Sequence, residues 1–170
     1  MDREKLRAIQ TPIKERYRAE PETAVVTLKA EGSLDGEKLS CSVATGRALV
    51  EAGLHPATGG TGMLACSGDM LLEALVACAG VTMCSVATAL EMTVGGTVRA
   101  EGDLDFRGTL GLGKDEDVPV GFRSIRLSFD LDHDADDEKL ATLIRLTERY
   151  CVVLQTLTGG VPVSSEVSLR

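Results

Sequence analysis

Residues 71–90 read LLEALVACAGVTMCSVATAL, and the fold turns on how this stretch is placed. From Met70 to Leu90 nearly every residue is apolar or small, which makes the segment about long enough to span a bilayer. Glu73 interrupts it, Gly80, Thr82, Ser85 and Thr88 recur within it, and no Lys or Arg stands close to either end as an interfacial anchor. A helix apolar all round that does not cross a membrane is a central helix buried on every side. The expectation is such a helix, capped by Ser67 or Asp69 and running to about Met92 before Gly95-Gly96.

The flanks read outward from that helix. Toward the N-terminus, residues 53–68 (GLHPATGGTGMLACSG) form a glycine-dense loop carrying His55 and Cys66. Before it, residues 24–30 and 37–45 alternate apolar and polar around Gly32-Ser33-Leu34-Asp35-Gly36, a hairpin pattern. Residues 3–19 place Leu6, Ile9, Ile13 and Tyr17 at helical spacing, with Pro12 as a kink or restart. Toward the C-terminus, alternation predicts strands over 97–107 and 122–131, joined by the loop TLGLGKDEDVPVG. A helix from Asp136 or Asp137 to about Tyr150 follows, with Leu140, Leu143, Ile144 and Thr147 on one face. A short helix over 151–157, Gly159-Gly160 and a last strand over 161–169 complete the order.

Helices and strands in this order give an α+β fold, an antiparallel sheet on a long buried helix, and not a doubly wound nucleotide fold. The division is an N-terminal amphipathic helix, 1–20, and a single domain, 21–170. One five-stranded sheet cannot cover every face of the central helix, so a second copy is expected to enclose it.

Charge and composition narrow the partners. With 26 acidic against 18 basic residues the chain carries a net charge of −8, which repels nucleic acid. The charged N-terminus MDREKLRAIQ is unlike a signal peptide, so the expected compartment is the cytoplasm, with no membrane partner. The five cysteines, 41, 66, 78, 84 and 151, form no C-x-x-C pair. Reduced or reactive thiols are therefore expected, and neither a metal nor a cofactor. His133, among Asp132, Asp134, Asp136 and Asp137, lacks the spacing of a calcium loop and reads as a solvated turn.

Cys78 lies in mid-helix, on the side of Leu71, Ala74, Leu75, Thr82 and Ser85. It can be a small buried hydrophobe or a reactive thiol, and periodicity does not choose. Cys151 opens a short apolar turn after LTERY, where the start of the next helix could stabilise its thiolate. Cys84 falls roughly 120° round the helix from Cys78 and reads as core, as does Cys41. Cys66 is an ordinary half-buried cysteine or a third redox partner.

Residues 71–90 together with residues 146–163, LTERYCVVLQTLTGGVPV, resemble the paired signatures of the OsmC/Ohr family. The first is similar to a Leu-rich turn followed by Ala-Ala-Cys or Ala-Gly-Cys. The second is similar to a Cys-Pro-Val-Ser block, with Val152 where Pro is usual. The resemblance implies an intertwined homodimer with thiol sites near the subunit interface. It implies that Cys78 attacks an organic hydroperoxide and becomes a sulfenic acid, that Cys151 condenses with it to a disulfide, and that a dithiol reduces the disulfide. In the family's peroxidases an Arg from the first hairpin turn pairs with the thiolate and a Glu near the helix start holds that Arg. Here Leu34 and Asp69 stand at those places. Replacement cations are Arg47 and His55, with Asp69 as partner. Without one, the Cys78 thiol should stay near the free value of about 8.5 or rise with burial. The competing reading is a non-catalytic redox sensor or a protein that binds a small hydrophobic ligand.

Overall fold

A computed structural model describes residues 3–35, 40–43, 52–112 and 117–167. Its elements are α1 (Arg3–Ala19), β1 (Val25–Asp35), β2 (Ser40–Val43), β3 (Ala52–Gly53), β4 (Ala65–Cys66), α2 (Ser67–Ala89), β5 (Val94–Asp105), α3 (Phe106–Thr109), β6 (Phe122–His133), α4 (Asp137–Tyr150) and α5 (Val152–Gly159). Four strands make one antiparallel sheet in the order β2-β1-β5-β6, and β3 pairs in parallel with β4.

Alternation decides which sheet face is dry. Along β5, Val98, Ala100, Gly102 and Leu104 are buried, and their partners on β6 are Phe129, Leu127, Ile125 and Phe122. The register slips once, between Asp103 and Leu104, leaving Arg123 as the extra residue. That bulge lets Phe122 and Ile125, three residues apart, both face inward. Gly102 makes room there, because a Cβ would collide with the Phe122 ring. On the other face Arg126 pairs with Asp103 and Glu101, and Arg99 with Asp130. This charged surface is the solvated side of a one-sided sheet.

The dry face is covered by α2 through Leu72, Leu75, Val76 and Ala79, which form one core with Val98 and Ala100. Further along, Met83 and Ala87 meet Leu143 of α4 and Val94 of β5. At the other end α1 runs through Pro12 without a break, and its buried Tyr17 donates a hydrogen bond to the Ala57 carbonyl at 2.7 Å. Tyr17 packs with Ala24, Leu104, Phe106 and Leu110.

Several boundaries differ from expectation. β1 continues to Asp35, so Gly32 to Asp35 are strand residues paired with Ser40 to Val43, not a turn; pairing satisfies backbone groups that a wide turn would leave open. Neither Ser67 nor Asp69 caps α2. The β3–β4 pairing carries extended backbone up to Cys66, which takes the cap position, and Asp69 falls in the first turn. α2 stops at Ala89 rather than near Met92, because Glu91 turns left-handed at φ 54° and the Met92 N–H returns to the Ala87 carbonyl at 2.9 Å. β5 then starts at Val94 and takes in Gly95 and Gly96.

The C-terminal segment and the outer side of α2 differ more. Residues 161–167 adopt no regular structure, for a strand needs a ladder partner and none of the described residues pairs with them. Val161, Val163 and Val167 are 54%, 89% and 81% exposed. Among the described residues the main sheet accordingly has four strands rather than five. By length and composition α2 could cross a membrane, but its Leu72-Leu75-Val76-Ala79 face is buried on the sheet. It is not buried on every side either. Leu71, Ala74, Val81, Ser85 and Thr88 form an exposed stripe at helical spacing, with Leu71 36% and Val81 43% exposed.

Candidate thiol site

Cys78 stands on that open stripe of α2, half-buried, between Ala74 and Val81. Cys151, fully buried, is the joint between α4 and α5. Its N–H donates to the Thr147 carbonyl at 2.9 Å and closes α4, while its carbonyl accepts from the Gln155 N–H at 2.9 Å and opens α5. The extended Cys151 backbone, φ −69° and ψ 104°, breaks the helix at this one residue. A new helix start leaves its first N–H groups without partners inside the helix.

Those free donors meet the two sulfurs. The N–H groups of Val153 and Val152 hydrogen-bond the Cys78 sulfur, joined by the Cys151 thiol and the Thr82 hydroxyl one turn further along α2. The Cys151 sulfur takes the N–H groups of Leu154 and Val153. Burial pushes the Cys78 thiol up, but the Val153 amide, the Cys151 thiol, the Val152 amide and the Thr82 hydroxyl together bring it below its ordinary value. Cys151 goes the other way. Burial raises it first, the Leu154 amide offsets part of this, and the neighbouring Cys78 adds to the rise, to about 11. Cys78 is therefore the more acidic thiol of the pair, and Cys151 the one that holds its proton longer.

The start of α5 thus serves both sulfurs: its amides favour the Cys151 thiolate, as expected from the sequence, and they also give Cys78 donors that are not side-chain cations. Thr82→Val removes one donor to the thiolate without a charge change, so iodoacetamide alkylation of Cys78 at pH 7 should slow roughly three- to fivefold. The midpoint of its pH profile should move up, and an unmoved midpoint would count against the Thr82 contact.

The other site candidates lie elsewhere. His55 Nδ1 accepts from the Ala57 N–H at 3.0 Å, and its ring stacks on Phe106 at 4.7 Å. Burial lowers its pKa, with Asp69 pulling the other way; burial raises Asp69, and raises Glu73 together with the Asp69 charge. His55 and Asp69 are thus neighbours, but Asp69 precedes Cys78 by about 13 Å along the α2 axis. Within one chain this pair does not reach the thiol. Arg47 lies outside the described residues, and Leu34 is a β1 residue opposite Cys41. Cys84 is buried away from Cys78, and Cys66 is half-buried against the core. His133 is exposed and contacts the Ala135 carbonyl at 3.1 Å. Among the described residues no cluster suits a metal ion.

A groove of about 650 Å³ opens beside the thiols, lined by Leu71 and Leu75 of α2, Phe122, Ser124, Ile125 and Leu127 of β6, Glu148 of α4, and Leu154, Leu157 and Thr158 of α5, with Gly121. Leu75, Ile125, Leu127, Leu154 and Leu157 belong to the same apolar cluster as Cys78 and Cys151. Neither Cys78 nor Cys151 lines the groove itself; shared neighbours such as Leu75 and Leu154 separate an apolar molecule bound there from the thiols. Sequence reading gave no role to Glu148 or to the Val152 and Val153 amides; the one available signal was a short apolar helix starting directly after a cysteine.

The family model described as OsmC-like protein matches residues 60–166. No match is found among curated proteins. Among solved structures, an OsmC-like hydroperoxide resistance protein from Jannaschia sp. CCS1 is similar with a TM-score of 0.56 at 18% identity, covering 86% of this chain and 95% of that chain. At that identity the likeness speaks for the fold. The matched segment holds Cys78, Thr82, Cys151 and the start of α5, and the chain belongs to the OsmC-like protein family.

Proposed function

We propose that this protein is a thiol-dependent peroxidase that reduces organic hydroperoxides, with Cys78 as nucleophile and Cys151 as resolving thiol. The observation that carries the reading is the mutual contact of the two thiols, with the first amides of α5 aimed at Cys78. The Cys78 thiolate attacks the outer oxygen of ROOH, the O–O bond breaks, and RO⁻ takes a proton to leave as ROH. Cys78 is then a sulfenic acid. The Cys151 sulfur displaces its hydroxyl, which leaves as water with the Cys151 proton, and a Cys78–Cys151 disulfide forms. An external dithiol, of the kind a reducing cytoplasm supplies, returns both thiols and is itself oxidised to a disulfide.

Amides and a hydroxyl stand in for the family's Arg in this reading. Neutral donors stabilise a thiolate without a buried cation to desolvate. His55, Asp69 and Arg47 then have no required part in the chemistry within one chain. Steady-state consumption of cumene hydroperoxide with dithiothreitol tests the proposal. Turnover well above that of dithiothreitol alone is expected; a disulfide that forms without turnover would instead fit the redox-sensor reading.

A homodimer belongs to the same proposal. The exposed stripe of α2 that carries Cys78, together with exposed Leu54, Met63, Leu64 and the valines of 161–167, leaves large apolar side chains open of the kind a partner surface covers. A second copy on this stripe would roof the thiols and exclude water from the sulfenic acid. Sedimentation equilibrium should give twice the chain mass at micromolar concentration, and a monomer there would remove this part of the account.

A further inference from the structure

The groove beside the thiols has one ionisable lining residue among the described ones. Its walls are Leu71, Leu75, Ile125 and Leu157, and Glu148 is the exception. Among the described residues no cation lines the groove: Arg145 and Arg149 of the same helix, and Arg123 of β6, do not line it. The Arg149 guanidinium lies over the Tyr150 ring at 5.5 Å. Glu148 occupies the last turn of α4, the end at which a helix dipole is negative. The end of α4 is also pinned to α5, since Gln155 Nε2 donates to the Glu148 carbonyl at 2.9 Å. Glu148 therefore stays close to the joint at Cys151, and the chain's net charge of −8 adds in the same direction.

We propose that Glu148 is a specificity-determining residue, making the groove accept neutral apolar hydroperoxides and turn away those that carry a carboxylate. The inference rests on the peroxidase reading for its reaction but on the groove alone for its selectivity. A carboxylate tail that enters the groove meets the like charge of Glu148, which is exposed at the groove's edge and acts through water and salt. A neutral ester of the same chain length does not.

The test compares the free acid and the methyl ester of one long-chain fatty-acid hydroperoxide, below their micellar concentrations. In the parent, kcat/KM should favour the ester by about three- to fivefold, and the preference should shrink as salt screens the charge. In Glu148→Gln the ester-to-acid ratio should fall by about threefold or more. An acid used as fast as the ester, or a ratio unchanged in Glu148→Gln, would overturn the proposal. Displacement of Nile red from the reduced protein by laurate and by methyl laurate gives the same comparison without chemistry. Discrimination in binding with no turnover of any hydroperoxide would sink the peroxidase reading and leave the selectivity standing. Turnover without discrimination would do the reverse.

Discussion

Cys78→Ser should lower kcat/KM for cumene hydroperoxide by about 10³-fold or more, to the level of the dithiol alone. A serine hydroxyl in the same cradle does not ionise near neutral pH, so the α5 amides have no anion to stabilise. The substitution is nearly isosteric on a half-buried position of α2, and the circular dichroism spectrum should match the parent's. Activity close to the parent's in a folded Cys78→Ser protein would mean that another thiol carries the chemistry. Cys66, half-buried at the start of α2, would be the one to examine next.

Cys151→Ser should separate the two steps. Serine keeps an O–H that can donate to the Cys78 sulfur, so the first encounter with hydroperoxide should proceed within several-fold of the parent rate. No disulfide can follow. The sulfenic acid should accumulate, be trapped by dimedone, and pass to the sulfinic acid under excess hydroperoxide. Steady-state turnover should fall by about 10²-fold, with the remainder due to direct attack of the added dithiol on the sulfenic acid. Cys151→Ala also removes the donor, so its first step should be slower than that of Cys151→Ser. If the two variants react with hydroperoxide equally fast, the Cys151 thiol does not help hold the Cys78 thiolate.

The pH dependence follows from the same contacts. Cys78 lies below its ordinary value, so its reactive fraction should rise with pH through a midpoint lower than that of a free thiol. Cys151, pushed up to about 11, keeps its proton throughout the neutral range. Its deprotonation must therefore accompany or follow the approach to the sulfenic acid, once the negative charge on Cys78 is gone. Loss of that charge removes one of the causes that raise Cys151.

The long helix and the order of the larger elements, α1, β1, β2, α2, β5, β6, α4 and α5, could be read from the sequence, whereas the short β3, β4 and α3 could not. Each of the larger ones rests on a periodic run or a motif that its own residues carry. What could not be read depended on backbone groups and on pairing. The lowered pKa of Cys78 comes largely from amides of Val152 and Val153, whose side chains say nothing about it. The extension of β1 through Gly32-Ser33-Leu34-Asp35 was hidden because glycine and aspartate at the two ends of that run imitate a turn. The segment 161–167 alternates as a strand should, yet alternation cannot supply the partner that a strand requires. The electrostatic pairing of His55 with Asp69 is one that separate stretches of sequence do not display, and the distance of Asp69 from Cys78 follows from the helix rise between positions 69 and 78.

Leu71 and Val81, on the same stripe of α2 as Cys78, are exposed, and Leu71 also lines the open groove. Burial on that side would strengthen the amide and hydroxyl contacts to the thiolate, because hydrogen bonds to charge gain strength as water is excluded.

The most direct test of the account is to mix the reduced protein with one equivalent of cumene hydroperoxide, quench with alkylating reagent, and map the cysteines by mass spectrometry. The account predicts that Cys78 and Cys151 lose their alkylation together and appear in one disulfide-linked peptide pair, while Cys66 and Cys84 stay alkylated. Alkylation of both Cys78 and Cys151 after the hydroperoxide is consumed, or a disulfide that joins Cys78 to a different cysteine, would contradict it.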